Sequence, residues 1–200
     1  MPRQTAKARS LREACIDEAF KIIEEAGVEN LSMREVARRL GVSHQAPYKH
    51  FHSREHILAE VIARIFEEFA AYLDDRPVEA EPRADLLAMG IRYLGYARAH
   101  PLKYRLMFNT ALPEPSQHQD MMSNAQKAFS LLHQRLTDMP LRPVQSGPAA
   151  KLDAVFIWST LHGLASILQS DVVQTLDISD DDLRAAEGRI FERMGAALEP

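Results

Sequence analysis

The 200-residue chain has a single cysteine, Cys15, and a single tryptophan, Trp158. One thiol cannot close an internal disulfide, and it excludes a four-cysteine zinc site. No apolar run approaches the roughly 20 residues that a membrane-spanning helix needs, so no membrane partner is expected. The N-terminal stretch Met-Pro-Arg-Gln-Thr-Ala-Lys-Ala-Arg is basic but has no apolar segment behind it, unlike a secretory signal. A soluble, cytoplasmic protein is the expectation. An excess of positive charge is also missing: 24 Lys and Arg face 28 Asp and Glu, for a net charge of −4. Total charge is therefore a weak argument for a nucleic-acid partner. The deficit is uneven, however. Residues 1–55 carry ten basic and eight acidic side chains, leaving fourteen and twenty for the remainder. Enzyme signatures are absent as well: there is no glycine-rich phosphate loop, no nucleophile elbow and no His-Glu-x-x-His. Neither an enzyme nor a cofactor is expected, and no metal site. His52 and His56, four residues apart, could clip a metal but have no third ligand in view and read as solvated histidines.

What is present is helical periodicity, with no convincing alternation of strand type. Ile16, Ala19, Phe20 and Ile23 form one apolar face of a helix from about Ser10 to Ala26, opened by a Ser10/Glu13 capping box and stopped at Gly27. A second capping box, Ser32/Glu35, opens a two-turn helix whose Met33, Val36, Ala37 and Leu40 face inward. Gly41-Val42-Ser43 is a tight turn, and Ser43 should open a third short helix. Two short helices about such a turn make a helix-turn-helix. Ser53 starts a longer helix with Leu58, Val61, Ile65, Phe69 and Leu73 inward. A proline-bounded polar linker spans 74–82. Helices follow at about 83–99, 101–112 and 117–137, with a break at Pro101. After a loop holding Pro140, Pro143, Gly147 and Pro148, a strongly apolar helix covers about 149–170. The last runs from Ser179 to about Leu198, making about nine helices in all.

In a helix-turn-helix the second helix enters the major groove, and its first residues meet base edges. Here those are His44, Gln45 and Ala46. Glutamine can pair with adenine through two hydrogen bonds, and an alanine methyl can touch thymine. Tyr48, Lys49 and His50 follow where phosphate contacts are expected, and Ser32, Ser43 and Ser53 mark helix N-termini that can face phosphates.

Gly41-Val42-Ser43, Tyr48-Lys49-His50-Phe51 and Ser53-Arg54-Glu55, together with Leu58 and the Ala26-Gly27 helix end, resemble the DNA-binding domain of the TetR family of transcriptional regulators. The resemblance covers about residues 9–62. Arg54 stands where lysine is commoner, in a phosphate role, and Pro47 where an aliphatic residue is usual. The resemblance implies that Phe51 is core, that Tyr48 and His50 approach the DNA backbone, and that Ser32, Arg34, Ser43, His44, Gln45, Ala46, Lys49 and Arg54 complete the DNA-facing set. Thr5, Lys7 and Arg9 would lie on an N-terminal arm. Trp158-Ser159-Thr160-Leu161-His162-Gly163 and His100-Pro101-x-x-Tyr104 resemble the WHG type of TetR C-terminal domain, with Trp158 filling a core and Gly163 admitting a close helix.

Two further expectations concern the C-terminal half. Methionines and tyrosines suit an adaptable apolar pocket for an unknown small-molecule effector. Its candidates are Met89, Tyr93, Tyr96, Tyr104, Met107, Phe108, Phe129, Trp158 and His162. A helix apolar nearly all round needs cover on every side, which a second subunit supplies. Phe156, Leu161, Leu164 and Leu168, with Ile190, Phe191 and Met194 of the last helix, are the candidate homodimer interface. The sequence thus predicts an all-α chain with a three-helix DNA-binding domain at 1–55 and a ligand-binding and dimerisation bundle at 56–200. Its expected role is a sequence-specific regulator, a repressor that leaves a palindromic double-stranded operator when an effector binds. Replacement of Gln45 by Ala should change sequence preference, whereas Tyr48→Phe should weaken binding to all sequences alike. Selection from a random duplex pool at fixed salt measures both.

Overall fold

The computed structural model of the chain describes residues 10–138, 148–175 and 177–197. The N-terminal arm with Thr5, Lys7 and Arg9, the loop with Pro140, Pro143 and Gly147, and Leu198 lie outside the described residues. Among the described residues there is no strand, and nine α-helices follow in order. They are α1 (Leu11–Ala26), α2 (Met33–Leu40), α3 (Arg54–Asp74), α4 (Pro82–Ala99) and α5 (Pro101–Phe108). Then come α6 (Gln119–Asp138), α7 (Pro148–Leu168), α8 (Asp171–Thr175) and α9 (Asp180–Ala197). The total matches the sequence reading through two opposite differences. The short α8 is not legible in the sequence, and the third helix expected at Ser43 is not an α-helix.

Local chemistry explains the ends. The hydroxyls of Ser10, Ser32 and Ser53 accept from the amides of Glu13, Glu35 and His56 at 3.3, 3.2 and 3.1 Å. The carboxylate half of each expected capping box is spent elsewhere: Glu13 meets Arg12 and Arg64, and Glu35 meets Arg38 and Arg39. A guanidinium adds opposite charge and two N–H donors, so each carboxylate is engaged by arginine and not by the backbone amide at the cap. Gly41 ends α2 in the left-handed region at φ +67°, where any side chain would be strained. Pro101 separates α4 from α5, and His100 takes a non-helical backbone before it.

Helix α3 is the central element. Ten of its 21 residues are buried, from Ile57 to Leu73. Its first half packs on α1 and its length on α6, and one continuous core runs from Cys15 in α1 to Met194 in α9. Cys15 is fully buried and burial raises its thiol pKa, so it is a small hydrophobe and not a reactive group. Helix α9 lies against α4: a side-chain carbon on Gly90 would strike the Phe191 ring at 2.6 Å, so only glycine admits this contact.

The expected polar linker at 74–82 is pinned. Arg76 Nη2 donates to Asp85 Oδ2 at 2.9 Å and Arg76 Nη1 to Oδ1, the Glu79 amide donates to Oδ1 at 3.0 Å, and Arg135 of α6 stands 3.4 Å from Oδ2. Both Arg76 and Asp85 side chains are about 5% exposed, and Asp85 is the one buried charged residue among the described residues. The Arg76 hydrogen bond holds the Asp85 carboxyl below its ordinary pKa. Breaking such a buried pair leaves an uncompensated charge, so Asp85→Asn should destabilise the fold by about 3–5 kcal/mol. A carboxylate with a depressed folded pKa stabilises above its unfolded value, near 3.9, and that contribution fades as pH falls through the folded one. Urea unfolding should therefore show the wild type losing more stability than Asp85→Asn between about pH 5 and pH 3.

Candidate nucleic-acid interface and apolar cavity

The expected recognition helix is a helical path held by short-range bonds. Residues 44–46 form a turn, and Pro47–Lys49 a single 3-10 turn. Proline has no N–H to reach back to the Ser43 carbonyl, so that carbonyl accepts from Ala46 at 2.9 Å. His50 and Phe51 amides both donate to the Pro47 carbonyl, at 2.9 and 3.0 Å. The winding nonetheless sorts the side chains. Ser43, His44, Gln45, Tyr48, Lys49 and His50 are exposed, while Ala46 is half-buried and Pro47 and Phe51 are buried. Gln45 Nε2 lies 3.1 Å from His44 Nε2, so the two candidate base readers are in contact before any DNA arrives. Ala46 is the least accessible of the expected base contacts.

The basic side chains divide into engaged and available ones. Arg39 pairs with Glu25, at 2.6 Å, and with Glu35, at 2.9 Å. Arg38 pairs with Glu35, whose carboxyl is held down to about 2 by hydrogen bonds from Arg38 and then Arg39. Arg34 and Lys49 are exposed, with no ion pair among the described residues. Arg54 departs from its expected phosphate role. Its Nε donates to the Leu31 carbonyl at 2.9 Å and its Nη2 to the Val28 carbonyl at 2.5 Å. It ties the start of α3 to the chain entering α2 and so fixes the motif's first helix against α3. The signal was available in the sequence only as a basic residue at a helix start; its partners are carbonyls more than twenty residues away.

His52 and His56 are not simply solvated. His56 is half-buried, its ring centroid 5.4 Å from that of His52, 5.8 Å from His118 and 5.8 Å from Phe51. Burial lowers its pKa. Among the described residues no group of three potential ligands is placed to hold a metal ion.

A cavity of about 540 Å³ opens between α3, α4, α5, α6 and α7. Of the expected pocket residues it is lined by Met89, Tyr93, Met107, Phe108, Phe129 and Trp158. Tyr96, Tyr104 and His162 stand outside it. Tyr96 is buried against Phe69 and Tyr72. Tyr104 and His162 form a polar seam beside the cavity: the Tyr104 hydroxyl is 2.7 Å from His162 Nδ1 and 2.9 Å from the Tyr93 hydroxyl. Burial pushes the Tyr104 hydroxyl up to about 12, raises Tyr93 further, and lowers His162, so the seam is uncharged at neutral pH. Phe66, Phe69 and Leu73 of α3 line the cavity too; Phe69 and Leu73 read from the sequence only as inward-facing, and Phe66 is not singled out there. Their spacing marks a buried face and cannot say that space lies beyond it.

Trp158 is 38% exposed and does not fill a core; it stands over Phe108 and Phe129 at 6.2 and 6.0 Å. The expected dimer residues also divide. Leu161, Leu164 and Met194 are buried within the chain, Leu161 as part of the cavity wall. Leu168, Ile190 and Phe191 are half-buried. Phe156 is exposed, with Leu152, Val155 and Ile167 along the same helix. No heavy atom lies near the side-chain direction of Gly163, so the helix that its absent side chain would admit is not one of this chain's described elements.

The division of the arginines has a direct test. Arg34→Ala or Lys49→Ala should weaken DNA binding uniformly and cut the slope of log affinity against log salt by about 1, without moving the unfolding midpoint. Arg54→Ala should instead cost stability, roughly 1.5–3 kcal/mol for a charged donor lost from two carbonyls.

Residues 16–61 match the family described as bacterial regulatory proteins, tetR family, and residues 86–194 match the tetracyclin repressor-like C-terminal domain. The HTH-type transcriptional regulator Rv0681 of Mycobacterium tuberculosis is 25% identical over 186 residues, covering 90% of this chain and 82% of its own. A protein of unknown function from Rhodococcus sp. RHA1 shares the fold at a TM-score of 0.74 and 26% identity, with 95% and 98% of the two chains covered. FadR from Bacillus subtilis, solved with stearoyl-CoA, aligns at a TM-score of 0.68 and 17% identity over 92% and 97%. The chain belongs to the TetR family of DNA-binding transcriptional regulators.

Proposed function

We propose that this regulator is a homodimeric repressor that releases a palindromic operator when a small molecule enters the cavity. The observation that carries the reading is that α3 follows the exposed recognition segment after a few residues, is tied through Arg54 to the chain entering α2, and ends in the cavity wall, through Phe66, Phe69 and Leu73. A ligand that prefers one placement of α3 shifts the population toward it and so changes the placement of the recognition segment. In this reading residues 1–55 bind DNA and 56–200 bind ligand and partner, and the protein acts in the cytoplasm. His44 and Gln45 read bases; Arg34, Tyr48, Lys49 and His50 meet phosphates; Ser32 presents the amides at the start of α2, and Ser43 those of the turn that follows it. FadR, which shares the fold, was solved in complex with stearoyl-CoA, which suits a ligand role for the cavity.

The dimer seam in this reading is the outer face of α7. Leu152, Val155, Phe156 and Ile167 are all more than 40% exposed, and Ser159 and Gly163 between them leave room for a partner helix. An exposed apolar stripe of this kind marks an interaction surface. A two-fold axis there gives two recognition segments to a site with two-fold symmetry.

Selection of bound duplexes from a random pool at fixed salt should return a palindrome with half-sites one helical turn apart, or a multiple of it. Phe156→Glu should give a folded monomer in sedimentation and lose most affinity for the palindrome. A stable dimer from Phe156→Glu together with Ile167→Glu, or enrichment of single half-sites, would overturn the dimer reading.

A further inference from the structure

The cavity carries a charge pattern that narrows its ligand. Its deep wall is apolar: Phe69, Leu73, Met89, Ile157 and Leu161 are buried there. The hydroxyl of Tyr93, the polar group on that wall, is already bonded to Tyr104 at 2.9 Å. The remaining polar lining, the Trp158 indole N–H with Gln126 and Ser130 of α6 and Lys151 of α7, belongs to exposed residues and therefore sits at the mouth. No aspartate or glutamate is among the described residues that line the cavity. Lys151 has no ion pair among the described residues. A ligand's apolar part gains by entering the deep end, at about 0.8 kcal/mol per buried CH₂. A hydrogen-bonding group taken there would lose its water and find no free partner. A positively charged head would meet Lys151 with no carboxylate to offset it.

We infer that the effector is a single-chain amphiphile, an apolar tail seated between α3, α4 and α7 and a carboxylate head held at the mouth by Lys151. The inference rests on the effector reading of the cavity. A thioester of the same acid with a phosphate-bearing carrier offers the same tail with a different anionic head, and the two sources are separable by experiment.

The chain's single tryptophan lines the cavity, so its fluorescence reports occupancy directly. Three twelve-carbon probes are titrated below their micellar concentrations: dodecanoate, dodecanol and dodecyltrimethylammonium. Dodecanoate should bind more tightly than dodecanol by roughly three- to tenfold, the range of a partly exposed ion pair, and the ammonium more weakly than either. Lys151→Ala should abolish the preference of acid over alcohol, and Lys151→Glu should reverse it, each with an unchanged helical circular dichroism spectrum. Equal binding of acid and alcohol by the wild type, or a preference that survives Lys151→Ala, overturns the inference. Dodecanoyl-coenzyme A distinguishes the sources: tighter binding than dodecanoate assigns the carrier thioester and overturns the free carboxylate, weaker binding supports it. The effector reading fails separately. If the probes bind and change tryptophan emission but leave retention on the selected duplex unaltered, the cavity is not the regulatory site. If all three release DNA with equal affinity, the regulatory reading stands and the charge rule is wrong.

Discussion

The structure depends on the burial of one helix. Helix α3 is 21 residues long, about 30 Å, and ten of those residues are covered by neighbours on several sides. A helix so enclosed has little freedom to bend, and close-packed interiors transmit displacement instead of absorbing it. Its N-terminal turn is fixed by the Ser53 hydroxyl and by the Arg54 guanidinium on two carbonyls of the chain leading into α2. Its C-terminal end is fixed by the Arg76–Asp85 pair, which folds the linker onto α4 and draws in Arg135 of α6. Between those two anchors lie the contacts to α1 and to α6. The cavity is therefore a break in the packing of the same rod that follows the exposed Ser43–His50 segment.

The two ends of α3 use different physics. At the recognition segment the side chains are polar, exposed and mostly uncommitted, and the acidic residues nearby neutralise Arg38 and Arg39 while Arg34 and Lys49 stay available. This resolves the weak overall charge: what matters to a phosphate backbone is which cations are free, and counting residues cannot show that. At the cavity the lining is apolar, and the neighbouring Tyr93–Tyr104–His162 seam satisfies its own hydrogen bonds. Such a seam rigidifies one wall without presenting an unpaired group to a ligand.

Much of this was legible in the residues. The Gly41-Val42-Ser43 turn, the serine caps and the helical periodicity depend on interactions within one or two turns of chain, and those are written in local spacing. The same holds for the break at His100-Pro101. The errors share a cause as well. Arg54 was read as a phosphate ligand because its carbonyl partners, at Val28 and Leu31, are close only in space. Glu13 and Glu35 have the spacing of capping-box acids, but arginines on the same and on other helices claim their carboxylates. The third helix was expected from its boundaries, although Pro47 had already removed one of its bonds.

The sequence by itself determined that the chain is helical and where most helices start and stop, since these follow from propensity and capping, and the fixed spacing of its motif marked the segment proposed to face DNA. Only the tertiary structure decided which apolar residues are core, which line space and which face outward. Leu161 and Phe156 lie on one helix and have similar hydropathy, yet the first walls the cavity and the second is exposed. Periodicity assigns a residue to a face of its helix. What lies opposite that face, a side chain, a void or water, is set by elements distant in sequence, and their packing is a property of the whole fold.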